Sequence, residues 1–209
     1  MNNLYFKGLY TEAQELNKIK NNFENNGLSC SLVFDNYSNL PLLSKNELNA
    51  AIDKQVRRCN PIGQNINIIC HSMGCNLGVL HAEKSTKIKK IVLISPEFGE
   101  YSKKEKYNLS IIQTPFGEKN PKLNGDAAKS LIIFKRTKPY ATLAIERINV
   151  PVLIIYSKDD ELIPKEYLKN LSKRKDNIKL FSLNSKLHNP LASKDHGPKT
   201  MKLIKNFLN

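Results

Sequence analysis

Ile66-Asn67-Ile68-Ile69-Cys70-His71-Ser72-Met73-Gly74-Cys75 is the stretch that decides how this chain folds. An apolar, β-branched run stops at His71-Ser72, and apolar residues at helical spacing follow at once through Leu77, Val79, Leu80 and Ala82. The pattern predicts a buried strand over 66–70 that turns sharply into a helix, with a serine at the apex. A side chain at such an apex is held clear of the backbone. Gly74, two residues on, stands where the helix must pass close to the strand layer.

Similar units lie on both sides. Leu4-Tyr5-Phe6 reads as a short strand closed by Gly8. Thr11-x-x-Gln14 has the form of a capping box, with Leu16, Ile19 and Phe23 behind it and Asn25-Asn26-Gly27 as the stop. Residues 28–35, with Cys30, Leu32, Val33 and Phe34, read as a strand. Ser44-x-x-Glu47 is a second capping box, opening a helix through Leu48, Ala51, Ile52 and Val56 that ends at Asn60-Pro61-Ile62-Gly63. Further strands are expected over 91–94, 152–156 and 178–183, with helices over 166–171 and from Pro198 to the end.

Continuous apolar strands alternating with helices imply an α/β fold, a mostly parallel sheet flanked by helices on both faces. No internal repeat or low-complexity tract interrupts it, and the whole of 1–209 reads as one domain. Residues 97–149 are less regular, with Gly99, Pro115, Gly117, Pro121, Gly125 and Pro139. They read as a small cap insertion over the carboxyl edge of the sheet, where ligand sites of such folds lie.

The formal charge is +14, carried mostly by scattered lysines. No nucleic-acid motif accompanies it, so the charge reads as solvated faces and no nucleic-acid partner is expected. No apolar run approaches the roughly 18 residues that span a bilayer. Peripheral contact with a membrane surface remains open, because a basic surface also suits an acidic or phospholipid substrate. The start lacks a basic region followed by an apolar core, which points to a cytoplasmic protein. Cys30, Cys59, Cys70 and Cys75 show neither a disulfide framework nor zinc-ligand spacing.

A serine hydroxyl is a weak nucleophile near neutral pH. It needs a base, a group that orients the base, and donors for the oxyanion. Ser72 sits where a strand–turn–helix elbow of the form Gly-x-Ser-x-Gly would present it, with Cys70 in place of the first glycine. His71 adjoins the serine but is expected on the other side of the turn. An orienting carboxylate should follow a later strand, and Asp159, Asp160 and Glu161 all follow the strand over 152–156. The base should follow the last strand. His188, five residues past Leu183, is the better placed; His196 abuts the final helix, and His81 lies on the helix after the elbow. Serine, acid, histidine is then the order along the chain.

With these parts assembled, the chain resembles the α/β-hydrolase superfamily over essentially its full length. Cys70-His71-Ser72-Met73-Gly74-Cys75 is similar to that family's Gly-His-Ser-Met-Gly-Gly. The segment from Val150 to Pro164 is similar to its Val-Pro-Val-Leu-x-Ile-x-Gly-x-x-Asp-x-x-Val-Pro, with Ser157 in the glycine's place. That resemblance selects Asp160. Phe6-Lys7-Gly8-Leu9 resembles the His-Gly-Phe turn after an early strand, with Lys7 for histidine. It implies an oxyanion hole from the backbone N–H groups of Leu9 and Met73. It also implies a compact member without two leading antiparallel strands, using no metal or cofactor.

The function expected is hydrolysis of a small carboxylic ester or thioester through an acyl-enzyme, with Ser72, His188 and Asp160 as triad. Phe98, Tyr101, Tyr107, Ile111, Ile112 and Phe116 are candidates for the apolar wall of its acyl site. Two alternatives stand beside it. One is a peptide or amide hydrolase. The other is a non-catalytic binding protein on the same fold, to which the departures Lys7, Cys70 and Ser157 lend weight.

Overall fold

The computed structural model describes residues 2–8, 11–34, 40, 44–100 and 125–209, with 125–131 as backbone alone. Six strands form one sheet among these residues: β1 (Asn2–Phe6), β2 (Cys30–Leu32), β3 (Ile66–His71), β4 (Ile88–Ile94), β5 (Val152–Ser157) and β6 (Ile178–Leu183). Their order is β2-β1-β3-β4-β5-β6 and every neighbouring pair is parallel. The helices between them are α1 (Ala13–Asn25), α2 (Lys45–Cys59), α3 (Met73–Ala82), α4 (Gly125–Arg147), α5 (Lys165–Arg174) and α6 (Gly197–Leu208).

Alternation along each strand explains why the apolar runs are continuous. Leu4, Phe6, Ile68, Cys70, Ile91, Leu93, Ile154 and Tyr156 point into one core, with α2, α3 and α4 residues such as Ile52, Leu77, Leu80, Ala141 and Ile145. Tyr5, Ile69, Val92, Ile94, Leu153 and Ile155 point into the other, with Ile19 and Phe23 of α1 and Met201 and Ile204 of α6. A strand buried on both faces has no polar positions to alternate. Helix α3 is buried along Met73–Leu80, whereas α1 buries only Ile19 and Phe23. That difference puts α3 inside the molecule and α1 on its surface.

The chain crosses between β1 and β3, since β2 lies outside β1 and the next strand lies on its far side. This is the switch point at which the carboxyl ends of parallel strands leave a crevice. Ser72 stands at that end of β3.

The capping box at Ser44 is present in full, with Ser44 N–H donating to Glu47 Oε2 and Glu47 N–H donating to Ser44 Oγ. The one expected at Thr11 is not. Helix α1 starts at Ala13 behind Glu12, and the Thr11 hydroxyl instead donates to the carbonyl of Gly8, 3.1 Å away. The strand expected over 28–35 is shorter, Cys30–Leu32. Of the expected cap over 97–149, residues 101–124 lie outside the described residues, and with them Tyr101, Tyr107, Ile111, Ile112 and Phe116. Phe98 is fully buried in the core, and α4 brings Ala141, Ala144 and Ile145 into the same core. Among the described residues no helix is long and apolar enough to cross a membrane.

Cys70 and Gly78 form a complementary pair. A Cβ on Gly78 would stand 2.3 Å from Cys70 Sγ, so the sulfur occupies the space that the α3 glycine leaves. Gly78→Ala should therefore destabilise by about 1–3 kcal/mol through overpacking, despite alanine's better helix propensity. Adding Cys70→Ala should recover about 1 kcal/mol or more of that loss. Chemical denaturation of the two single variants and the double variant checks this, and simple additivity would contradict the contact.

Candidate active site

Ser72 has φ 51°, one of two non-glycine residues with positive φ among those described. For a residue with a Cβ this region costs about 1–3 kcal/mol, and it persists only where the surroundings impose it. Here the surroundings are β3, whose pairing with β4 continues as Ser72 N–H donates to the Ile94 carbonyl at 2.9 Å, and α3, which begins at the next residue. The helix then passes so near the end of β1 that a Cβ on Gly74 would lie 2.3 Å from the Phe6 carbonyl oxygen. Any side chain there would push α3 off the sheet. Ser72 Oγ makes no capping bond to the helix it precedes. It is left to turn toward the crevice.

His188 reaches it from the loop after β6. Its Nε2 lies 2.8 Å from Ser72 Oγ and its Nδ1 lies 2.6 Å from Asp160 Oδ2. An ionised carboxylate only accepts, so Nδ1 carries a hydrogen and donates it to Asp160. Asp160 is buried and its other oxygen accepts the Leu162 N–H at 3.0 Å, which fixes the carboxylate plane. Asp159 and Glu161, the neighbours that share this loop, are exposed. His196 is the residue before α6 and makes none of these bonds, and His81 pairs with Asp53 at 2.8 Å on α2. Met73 is the first residue of α3, so its N–H has no helical acceptor behind it. Leu9 lies outside the described residues.

Further contacts hold the His188 loop. Ser157, at the end of β5, donates its hydroxyl to the Leu187 carbonyl at 2.6 Å. A glycine at 157 would not supply that tie. His71 was expected on the far side of the turn, but its ring stands 5.4 Å from that of His188. Its Nε2–H donates to the His188 carbonyl at 3.0 Å, which fixes the tautomer, because a carbonyl only accepts. A Cβ on Gly8 would lie 2.5 Å from His71 Nδ1, so glycine is required there to admit the ring.

The two rings titrate in opposite directions. Burial holds His71 down to about 3, helped by the nearby charge of His188, against the smaller effects of its bond to the His188 backbone and of Asp160. Burial also opposes a charge on His188. Hydrogen bonds to Asp160 and Glu97, and the charges of both, outweigh it and raise the ring to about 9.

Glu97 is the polar residue that reading the sequence did not find. It is buried three residues past the end of β4, and its Oε1 accepts from the Ser72 hydroxyl at 3.0 Å and lies 3.5 Å from His188 Nε2. Among the described residues no group of three His, Cys, Asp or Glu side chains is arranged to hold a metal ion.

The family model described as serine hydrolase matches residues 43–194, a span that includes Ser72, Asp160 and His188. The chain belongs to the serine hydrolase family. No curated protein matches this serine hydrolase in sequence. Solved structures similar to it include a monoacylglycerol lipase from Paleococcus ferrophilus, at TM-score 0.70 and 18% identity, over 99% of this chain and 93% of that one. A lipase-esterase related protein from Clostridium acetobutylicum matches at TM-score 0.72 and 20% identity, over 99% and 93%. An esterase from Exiguobacterium antarcticum matches at 0.73 and 12%, over 100% and 91%. At such identities the likeness is one of fold, and that fold is the α/β-hydrolase fold.

The site histidines of this serine hydrolase set a pH dependence of stability with a definite sign. His71 takes a proton at 6.5 when unfolded but only at about 3 when folded, so its contribution is intact above pH 6.5 and is lost on acidification toward 3. For His188 the order is reversed: its contribution is intact below 6.5 and is lost as pH rises through about 9. Thermal melts across this range should show His71→Gln with a flatter acid limb than the parent. Equal acid limbs would contradict a buried, neutral His71.

Proposed function

We propose that this serine hydrolase cleaves small carboxylic esters or thioesters through a covalent acyl-enzyme. Ser72 is the nucleophile, His188 the general base and then acid, and Asp160 the group that orients the imidazole. The observation that carries this is the single ring of His188 spanning Ser72 Oγ at 2.8 Å and Asp160 Oδ2 at 2.6 Å.

The chemistry follows from these contacts. Neutral His188 takes the hydroxyl proton as Ser72 Oγ attacks the substrate carbonyl. The oxygen that becomes negative lies toward the start of α3, where the Met73 N–H and the N-terminal end of the helix stabilise it. In this proposal the Leu9 N–H is the second donor. The imidazolium, its Nδ1–H still on Asp160, passes its proton to the departing alcohol or thiol, and the C–O or C–S bond breaks. Water then repeats the sequence: it loses a proton to His188, adds to the acyl carbonyl, and Ser72 Oγ leaves with that proton. The segment 97–149 is proposed as the cap that bounds the acyl group.

Two of the departures that favour a non-catalytic role are accommodated by the fold. Cys70 fills the space beside Gly78, and Ser157 holds the histidine loop. A peptide bond has a poorer leaving group, and among the described residues no feature compensates for it, so the ester reading is preferred.

A fluorophosphonate probe should label the protein on Ser72. Turnover of p-nitrophenyl acyl esters should fall by about 1,000-fold or more in Ser72→Ala and in His188→Ala. The same esters should be cleaved faster than aminoacyl anilides. A folded protein that the probe does not label, or a Ser72→Ala variant with full turnover, would overturn the proposal.

A further inference from the structure

Glu97 changes the proton count of this site. Ser95 has φ 49°, in the left-handed region, and Pro96 follows it. Together they turn the chain beyond β4, with Ser95 N–H bound to the Ile155 carbonyl at 2.8 Å. Two residues further on, the Glu97 carboxylate is buried against the serine. Three atoms then form a triangle: Ser72 Oγ to His188 Nε2 at 2.8 Å, Ser72 Oγ to Glu97 Oε1 at 3.0 Å, and Glu97 Oε1 to His188 Nε2 at 3.5 Å.

The serine has one hydroxyl hydrogen for two acceptors. If it goes to Glu97, the short contact to Nε2 needs a hydrogen on the ring, which makes His188 an imidazolium. If it goes to Nε2, the carboxylate oxygen faces a bare serine oxygen unless Glu97 is itself protonated. Either bonded arrangement holds one proton more than the state in which neutral His188 accepts from Ser72. Only that last state can generate the nucleophile.

We propose that Glu97 is a positioning residue that keeps the resting site loaded with an extra proton, with the Ser72 hydroxyl turned to the carboxylate and away from His188. The serine becomes reactive when that proton leaves. This rests on the triad proposed above and adds a control over it.

Among the described residues, these charged and titratable groups lie around His188. Asp160 faces it from the loop after β5, Glu97 from the loop after β4, and His71 from the end of β3. Cys75 of α3 lies near Glu97, with burial holding its thiol well above the usual range. Lys138 of α4 is buried, and its Nζ donates to the Glu100 carbonyl. Two carboxylates therefore act on one ring, opposed by burial, and the ring rises to about 9. At that value about one ring in a hundred is neutral near pH 7.

The test is the pH dependence of two rates, fluorophosphonate labelling and kcat/KM on a p-nitrophenyl acyl ester, in the parent and in Glu97→Gln. The parent should rise to a midpoint near 9. The variant should have a midpoint lower by about one unit or more, and should react about tenfold faster near pH 7. Its plateau near pH 10 should be equal or lower, because a less basic ring is a weaker general base. Profiles that converge or cross at high pH in this way would not come from a structural defect, which would scale all rates together. An unchanged midpoint in a folded variant would overturn the proposal. Failure of the parent to label at any pH would instead sink the triad itself. If Glu97→Gln does not fold, the His188 ring C–H resonances of the parent, assigned by their loss in His188→Asn, decide the matter. Titration near 9 supports the loaded site, and titration at or below 6.5 overturns it.

Discussion

A serine fixed at positive φ between a strand and a helix is the constraint on which the rest of the site depends. Ser72 cannot relax, because β4 holds its N–H through the Ile94 carbonyl and α3 begins at the residue after it. Gly74 lets α3 lie against the carbonyls of Phe6 and Lys7, so the elbow is clamped by β1 as well. The strain of about 1–3 kcal/mol is modest beside the two cores that oppose its release. Its product is a hydroxyl that serves no helix cap and faces the crevice at the crossover between β1 and β3.

Around that hydroxyl the loops are fastened to one another rather than to solvent. The histidine loop is tied at Leu187 by Ser157, at the His188 carbonyl by His71, and at the ring by Asp160. Each tie comes from the carboxyl end of a strand or from the loop just beyond it. Placement of the imidazole is thereby inherited from the register of the sheet. Gly8 belongs to the same construction, since its missing side chain is what admits the His71 ring.

Much of this was legible in the sequence because the constraint is local. Strands β3 and β5, buried on both faces, leave continuous apolar runs just ahead of Ser72 and Asp160, whereas His188 follows the partly exposed edge strand β6. Chain order and the strand–turn–helix pattern pointed to Ser72 and His188, the family resemblance selected Asp160 among three neighbouring carboxylates, and the structure brings the three side chains together. Other features depend on contacts that no spacing encodes. Thr11 has the spacing of a cap but finds the Gly8 carbonyl first. His71 was expected to face away, yet its ring lies beneath the His188 loop because Gly8 leaves room. Glu97 follows Ser95-Pro96, which reads only as the end of a strand. Its aim at Ser72 arises from the positive φ of Ser95, and serine carries no signal for that conformation. Cys70 and Ser157 look like defects beside the family pattern and are resolved by their partners, Gly78 and the Leu187 carbonyl.

The most direct test is a diffraction structure of the protein after reaction with a fluorophosphonate. The account predicts phosphorus bonded to Ser72 Oγ, φ at Ser72 still positive, and a phosphoryl oxygen about 2.7–3.1 Å from the Met73 nitrogen. Phosphorus on another residue, or an adduct whose oxygen points away from the start of α3, would contradict it.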